Sequence, residues 1–406
     1  MSKKKLIQIN TVCNTSTGRI MLQIQKAAEE RGYEALSLVG RRKVPENINC
    51  KKIGNGVSFW IHVAITTLFD RHGYGSFLVT KRLIKIIKQE NPDIIHLHNI
   101  HGYYLCVPLL FEYFKNEFKG RLFWTFHDCW PMTGHCAYFT EAGCERWKSG
   151  CFECPNKKQY PVSLLTDAST RNYIDKKKFF TNLKHLVIIV PSQWLADIAE
   201  QSYMNKYPIE IVPNGIDLDR FHYTIDDQVI EKYGIKNDKM IILGVASVWE
   251  SRKGFDVFLE LSKVVGEEYQ IVLVGVNKLQ KLKLPKNVIG IERTDRQEEL
   301  VSLYSSAAVF INPSTEETFS MVTVEAMACG TPVIVLDTSA VKELVNEDCG
   351  IVLSDNKITS YLKAIELIKV KGMPRALVAR QAQRYGLKQS MEMILNLYER
   401  ICRESS

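Results

Sequence analysis

The chain has 406 residues, 46% hydrophobic and 24% charged, which excludes a disordered chain and exceeds what one compact core holds, so two domains are expected. The formal net charge of +8 suits an anionic ligand or an acidic membrane surface and is too diffuse to predict nucleic-acid binding. The opening MSKKKLIQIN has only a short apolar run with Gln inside it, and the longest apolar stretch, residues 57–69, is too short to span a bilayer; a cytoplasmic protein without a leader is expected.

Strand-like and helix-like segments alternate from the start. Leu6 to Thr11 reads as a strand, Gly18 to Arg31 as an amphipathic helix and Glu34 to Val39 as a strand. Thr80 to Gln89 is a basic-apolar helix. Asp93 to His98, Leu122 to Phe126 and Leu186 to Pro191 are strands, and Ser192 is the expected N-cap of the next helix. After a short strand at Ile209 to Pro213, the run VPNGIDLDRF breaks regular structure and marks a domain boundary.

The alternation then restarts. Met240 to Ala246 is a strand, Phe255 to Val265 a helix, and Tyr269 to Val274 and Val288 to Ile291 are strands. Glu298 to Ser306 is a helix, Val309 to Asn312 a strand, Met321 to Cys329 a helix and Pro332 to Leu336 a strand. The tail from Pro374 to Arg400 reads as long, helical and amphipathic. The predicted class is α/β: two Rossmann-like, doubly wound domains facing a cleft. The expected bounds are 1–212, 213–375, and a helical tail, 376–406, that packs back on the first domain.

The segment PSTEETFSMVTVEAMACGTPV, residues 313–333, follows a predicted strand, where open α/β sheets bind ligands. Ser320 is placed as an N-cap and Gly330 as a stop. A helix start there offers free amides and partial positive charge to a phosphate. Glu325 lies about 7.5 Å further along the axis and leans back toward the start; Glu317 precedes the helix. Two acids flanking a phosphate position suit a ligand with hydroxyls on either side of a diphosphate, that is, a nucleotide sugar. Taken alone, the spacing equally fits a surface helix with acids in its first turns. SVWESRKGF, residues 247–255, follows another strand and brings Arg252 and Lys253 to the same sheet edge, where two cations neutralise a departing diphosphate.

Together E-x7-E from Glu317 to Glu325 with the trailing EAMACGTPV, the RKG turn and VPNGID resemble the large retaining glycosyltransferase family of GT-B architecture that includes sucrose-phosphate synthases and many bacterial polysaccharide transferases. The resemblance covers nearly the whole chain. It implies that Glu317 faces the donor sugar, Glu325 binds the ribose and Lys253 contacts the diphosphate. It also implies that Phe319, Ser320, Met321 and Val322 form the loop and helix start that touch sugar and phosphate, with Ser247 beside them. Gly18, in Thr17-Gly18-Arg19, matches the first-domain Gly loop, where a missing side chain admits a ligand, and His127 matches a histidine that borders the sugar. Family members often carry Arg where Val248 or Ser247 stands, so Arg252 is the substitute cation here; many carry Gly where Ser320 stands.

The implied partners are a UDP- or GDP-sugar donor and a saccharide acceptor, lipid-linked at the inner leaflet, with contact between the membrane and residues 57–69 and KRLIKIIK (81–88); one buried amphipathic segment and one solvated helix face are the alternative for those two stretches. The implied mechanism is retaining front-face transfer without a cofactor or divalent cation for chemistry. D-x-D at Asp217 to Asp219 reads as turn capping. A sugar-nucleotide epimerase on the same scaffold and a zinc-stabilised RNA-binding protein are the rival readings. The first leaves E-x7-E with RKG unexplained, and the second requires a basic stripe that scattered Lys and Arg do not form.

Five cysteines crowd residues 129–154. Cys151-x2-Cys154 is a zinc half-site that Cys136 and Cys144 complete; reduced packed thiols and disulfides are the alternatives. A similar Cys-rich insert occurs in some exopolysaccharide and capsule (colanic-acid-type) transferases of the family. In HLHNIHGYY, His96 and His98 share a strand face and read either as polar strand-end residues lining the cleft or as zinc ligands.

Overall fold

The computed structural model describes residues 3–404. The chain divides into two compact units: one runs to Pro213 and regains the chain from Ser390 onward, and the other spans Asn214–Gln389. In the first, β1 (Lys5–Asn10), α1 (Ser16–Glu30), β2 (Glu34–Val39), β3 (Cys50–Lys52), α2 (Gly56–Phe69), α3 (Phe77–Glu90) and β4 (Ile94–Leu97) follow one another. They are succeeded by α4 (Val107–Asn116), β5 (Arg121–Thr125), α5 (Ser169–Phe180), β6 (Leu186–Val190), α6 (Gln193–Gln201) and β7 (Ile209–Ile211). The seven strands form one parallel sheet in the order β3-β2-β1-β4-β5-β6-β7.

The second unit holds α7 (Asp227–Lys232), β8 (Met240–Val245), α8 (Phe255–Leu261), β9 (Tyr269–Val274), α9 (Lys278–Leu282), β10 (Val288–Ile291) and α10 (Gln297–Ser306). Then come β11 (Ala307–Asn312), α11 (Met321–Ala328), β12 (Val333–Leu336), β13 (Gly350–Leu353), α12 (Ile358–Lys371) and α13 (Arg375–Ala382). Its six strands run in the order β10-β9-β8-β11-β12-β13, again parallel. The central strands read as near-continuous apolar runs because helices cover both faces: Ile242, Leu243, Ile271 and Val272 are fully buried in the second core, and Ile95, Leu97 and Trp124 are buried in the first. In each sheet the order reverses once, between β1 and β4 and between β8 and β11. Loops beyond the carboxyl ends of those strands are where such sheets bind ligands.

The structure corrects several expectations. The tail is helical as predicted, in two helices: α13 packs on α11 within the second unit, a tight turn follows at Gln383–Tyr385, and α14 (Leu387–Arg403) carries the chain back. The break is imposed by Gly386, which leaves the helix to pair with Ile216 in an isolated bridge. The return to the first unit therefore begins at Ser390, not at 376. Unpredicted elements include β3, β13, α4, α5 and α12, while α1 begins at Ser16, so Gly18 lies inside its first turn. Ser192 caps α6 as expected, accepting from the Leu195 amide at 3.2 Å. Residues 56–69 are a helix, and no helix among the described residues is long and apolar enough to cross a membrane.

Candidate active site

In the second unit, the β8 and β11 loops are locked together. Gly254 ends the RKG turn at φ +70°, and a Cβ there would sit 2.6 Å from Pro313 Cγ, so only glycine permits both the left-handed backbone and the close approach. The Thr315 amide donates to the Arg252 carbonyl at 2.9 Å, and Arg252 Nη1 donates to the Glu316 carbonyl at 3.1 Å. These ties bring Lys253 Nζ within 2.5 Å of Glu317 Oε1, with the two side chains 17% and 12% exposed. Burial pushes the Glu317 carboxyl up, but Lys253 and then Arg252 outweigh it and hold the group below the usual glutamate range. Burial pulls Lys253 below the usual lysine range, against the opposing pull of Glu317. The expected acid and cation are thus one ion pair.

Asn312, at the end of β11, closes the loop from the other side. Its Nδ2 donates to Ser320 Oγ at 2.9 Å and to Thr323 Oγ1 at 3.0 Å, and its Oδ1 accepts from the Ser314 amide at 3.2 Å. Ser320 precedes α11 as predicted, but it is not a side-chain cap: its hydroxyl is held by Asn312 and Thr323, and its backbone is left-handed at φ +84°. That conformation explains why glycine suits this position. With no side chain capping α11, the amides of its first turn keep their capacity to meet an anion. Met321 and Val322 are half-buried in that turn, whereas Phe319 is buried in the core against Tyr385.

Glu325 is buried and accepts a hydrogen bond from the Tyr304 hydroxyl at 3.0 Å. Burial and that carboxylate push the Tyr304 phenol well up, so it stays a donor. Ser247 is exposed just past β8, where Gly275 must lack a side chain because a Cβ would meet the Ala246 carbonyl. Sequence reasoning missed Asn312, Tyr304 and Ser339, whose Oγ accepts from the Glu317 amide at 3.0 Å. Only Asn312, a polar residue ending an apolar strand, left a signal. Asp217 caps its own turn, accepting from the Arg220 amide at 3.3 Å.

In the first unit, Gly18 is required by the protein itself: a Cβ there would lie 2.4 Å from the Cys13 backbone. The sequence reading assigned that space to a ligand; the α1–loop contact takes it instead. His127 is buried, with Nε2 3.1 Å from His98 Nδ1 and the two rings stacked. Burial pulls its pKa down to about 4, so the ring is neutral near pH 7. His96 and His98 share a face at the end of β4 as predicted, and both are buried in the core. His96 is 2.5 Å from the Tyr398 hydroxyl and 2.7 Å from Thr125 Oγ1, and His98 contacts Gln8 at 3.2 Å. Beyond β5, Asp128 accepts from His101 at 2.8 Å, and His101 meets Tyr160 on its other nitrogen at 3.0 Å. This Asp–His–Tyr chain, buried at Asp128 and His101 and exposed at Tyr160, was not foreseen.

Cys136, Cys144, Cys151 and Cys154 are free thiols. Cys136 and Cys154 are hydrogen-bonded, and Cys151 and Cys144 lie within electrostatic reach. Next to them, His135 Nδ1 is 2.5 Å from Asp70 while its Nε2 is buried without a hydrogen-bond partner. Thiols, an imidazole nitrogen and a supporting carboxylate are zinc chemistry. Among the described residues, however, no three such side chains are set at coordinating positions.

Two family descriptions match the chain: Glycosyltransferase Family 4 over residues 17–220 and Glycosyl transferases group 1 over residues 226–386. An Escherichia coli (strain K12) protein assigned to colanic acid biosynthesis as the glycosyl transferase WcaC is 26% identical over 351 residues, covering 84% of each chain. Among solved structures, the sucrose-phosphate synthase of Thermosynechococcus elongatus superposes with a TM-score of 0.74 at 16% identity over 100% of both chains. Anabaena HepE, in complex with UDP and glucose, gives 0.70 at 14% identity over 98% of this chain and 99% of that one. At such identities these two structures speak to the fold, which is GT-B.

Proposed function

Because this chain belongs to Glycosyltransferase Family 4, we propose that it moves a sugar from a nucleoside-diphosphate sugar to a saccharide acceptor, with retention at the anomeric carbon, in cell-surface polysaccharide synthesis. The observation that carries the reading is the Lys253–Glu317 pair beside the uncapped start of α11, at the reversal point of the second sheet. The WcaC relative supports the polysaccharide setting, and the UDP bound to HepE supports a uridine donor.

In this reading the diphosphate sits on the first-turn amides of α11, between the two acids. Lys253 turns from Glu317 to the phosphate oxygens, and Arg252 adds a second cation. Glu317, once released, accepts from donor-sugar hydroxyls; Glu325, already accepting from Tyr304, receives a ribose hydroxyl. The acceptor oxygen bonds to the anomeric carbon from the face that the diphosphate leaves, the bond from that carbon to the diphosphate oxygen breaks, and the acceptor proton passes to the leaving phosphate. Two cations and a helix start supply the countercharge, so the reading invokes no divalent cation in the chemistry. The first unit serves the acceptor, and His127 is neutral there, a hydrogen-bonding ring. We also propose that Cys136, Cys144, Cys151 and Cys154, which are not at coordinating positions here, draw together around one structural zinc ion when the metal is supplied, and that the acceptor is lipid-linked at the inner leaflet.

The test is a panel of UDP- and GDP-sugars scored for thermal stabilisation and nucleoside diphosphate release. Glu325→Gln is expected to weaken donor binding about tenfold, the loss of roughly one charged hydrogen bond, and Lys253→Ala mainly to lower turnover. Unchanged affinity and rate in both variants would remove the assignment.

A further inference from the structure

Helix α2 is turned inside out. Its polar residues His62 and Thr66 are 1% and 0% exposed, while Val57, Trp60, Ile61 and Leu68 form one helical stripe that faces solvent, with Trp60 68% exposed. The orientation is fixed from within. His62 Nδ1 meets Ser76 Oγ at 3.0 Å, His62 Nε2 accepts from the Gly73 amide at 3.0 Å, and Thr66 donates to the His62 carbonyl at 2.9 Å. Rotating the helix to bury the stripe would break both His62 ring bonds and strand a buried imidazole; the Thr66 bond is internal to the helix and lets its hydroxyl be buried.

The apolar surface continues on both sides. The Leu164 amide donates to the Thr67 carbonyl at 2.9 Å and Thr166 donates to the Leu68 carbonyl at 3.2 Å, which pins exposed Leu164 and Leu165 beside the end of α2. At the other flank Ser76 leads directly into α3, whose first residues Phe77 and Leu78 are also exposed. The exposed stripe of α3 then turns basic with Lys81, Arg82 and Lys85, and Lys81 Nζ lies 4.6 Å from the Phe77 ring. Neither helix carries an acid before Glu90. An apolar face this large marks an interaction site. A second copy of the chain meeting it face to face would set like charges together.

We propose that the α2–α3 face docks on an anionic lipid bilayer, with the α2 stripe and the Leu164–Leu165 tip entering the headgroup layer and Lys81, Arg82 and Lys85 meeting lipid phosphates. The inference rests on the transferase reading only for the leaflet encountered. It is tested without donor or acceptor, so its failure and a failure of that reading are distinguishable.

The experiment is sedimentation of the full chain with phosphatidylglycerol-containing vesicles and with pure phosphatidylcholine vesicles. The expected result is binding to the anionic vesicles with a blue-shifted tryptophan emission. Trp60→Glu with Ile61→Glu should weaken it at least tenfold, and Lys81→Ala with Arg82→Ala on the order of 25-fold, about fivefold per cation. Leu279→Glu, which charges an exposed apolar residue of α9, should bind like the parent. All five positions are exposed, so an unchanged melting temperature verifies folding. Parent protein left in the supernatant with anionic vesicles overturns the proposal, as does parent-like binding by Trp60→Glu/Ile61→Glu. A concentration-dependent dimer abolished by that pair also overturns it, in favour of a chain–chain contact.

Discussion

Replacing Lys253 by Met keeps the side-chain stem and removes its cation from Glu317. At a 2.5 Å contact and an effective dielectric near 20, the attraction lost is about 6–7 kcal/mol before desolvation is counted. Desolvation has already offset most of that, so the relevant quantity is the cost of leaving one charge unpaired, about 3–5 kcal/mol for full burial. Glu317 keeps 12% of its surface and the nearby Arg252, which lowers the expected loss to about 2–3 kcal/mol. For a unit of this size that is a fall of about 4–12 °C in melting temperature. Glu317→Gln should cost about 2 kcal/mol, and the double variant less than the sum, giving a coupling of about 2 kcal/mol. Calorimetry of the four proteins, with and without UDP, reads both stability and ligand response. A coupling under about 0.5 kcal/mol, the size of an exposed pair, would show that the ion pair does not organise this site.

Gly254→Ala should lower stability by about 2–3 kcal/mol and depress donor turnover, because it strains a φ of +70° and drives a methyl into Pro313; thermal melts and nucleoside diphosphate release measure both. Burial lowers the pKa of His62 and His96 to about 3 and of His127 to about 4, below the usual 6.5, so the unfolded chain binds more protons than the folded one between those values. The first unit should therefore lose stability as pH falls from about 6.5 toward 4, while the depressed Glu317 costs the second unit stability only below the ordinary glutamate value near 4.3. Calorimetric transitions that fall in parallel from pH 7 to 5 would contradict this. Tyr398→Phe removes the hydroxyl beside His96 and should cost about 1–2 kcal/mol by urea unfolding, leaving donor binding intact. Metal analysis of purified protein should find about one zinc per chain, lost on replacing Cys151 and Cys154 by Ser; a metal-free yet stable protein would dispose of the zinc knot.

The sheets were legible because both faces are covered, so their strands stand out as apolar runs between Gly, Pro and Asn. The loops after β8 and β11 were legible because Gly254 and Pro313 punctuate them. What sequence pattern did not reveal are the contacts that the fold creates. Ser320 has the chemistry of an N-cap, yet Asn312 claims its hydroxyl and the backbone turns left-handed. Gly18 looked like an opening for a ligand but fills against Cys13. Helix α2 shows this most: its apolar run fits burial as well as membrane contact, and the bonds available to His62 are what put Val57, Trp60 and Ile61 outward. β3, with sequence CKK, carries no strand pattern because it is a short edge strand.

The return of α14 has a consequence for how the molecule is made. Tyr398 lies fully buried on the first sheet, against His96 and Phe123, although nearly two hundred residues of the other unit intervene in the chain. A growing polypeptide that has finished β7 still lacks this plug, so the amino-terminal half emerges from the ribosome with a buried-type histidine and an aromatic face uncovered. Synthesis of the second unit must be complete before the first can be sealed. The segment from Ser390 onward thus acts as a closing latch, and a chain truncated before Ser390 would keep a second unit that is whole and a first unit that is not.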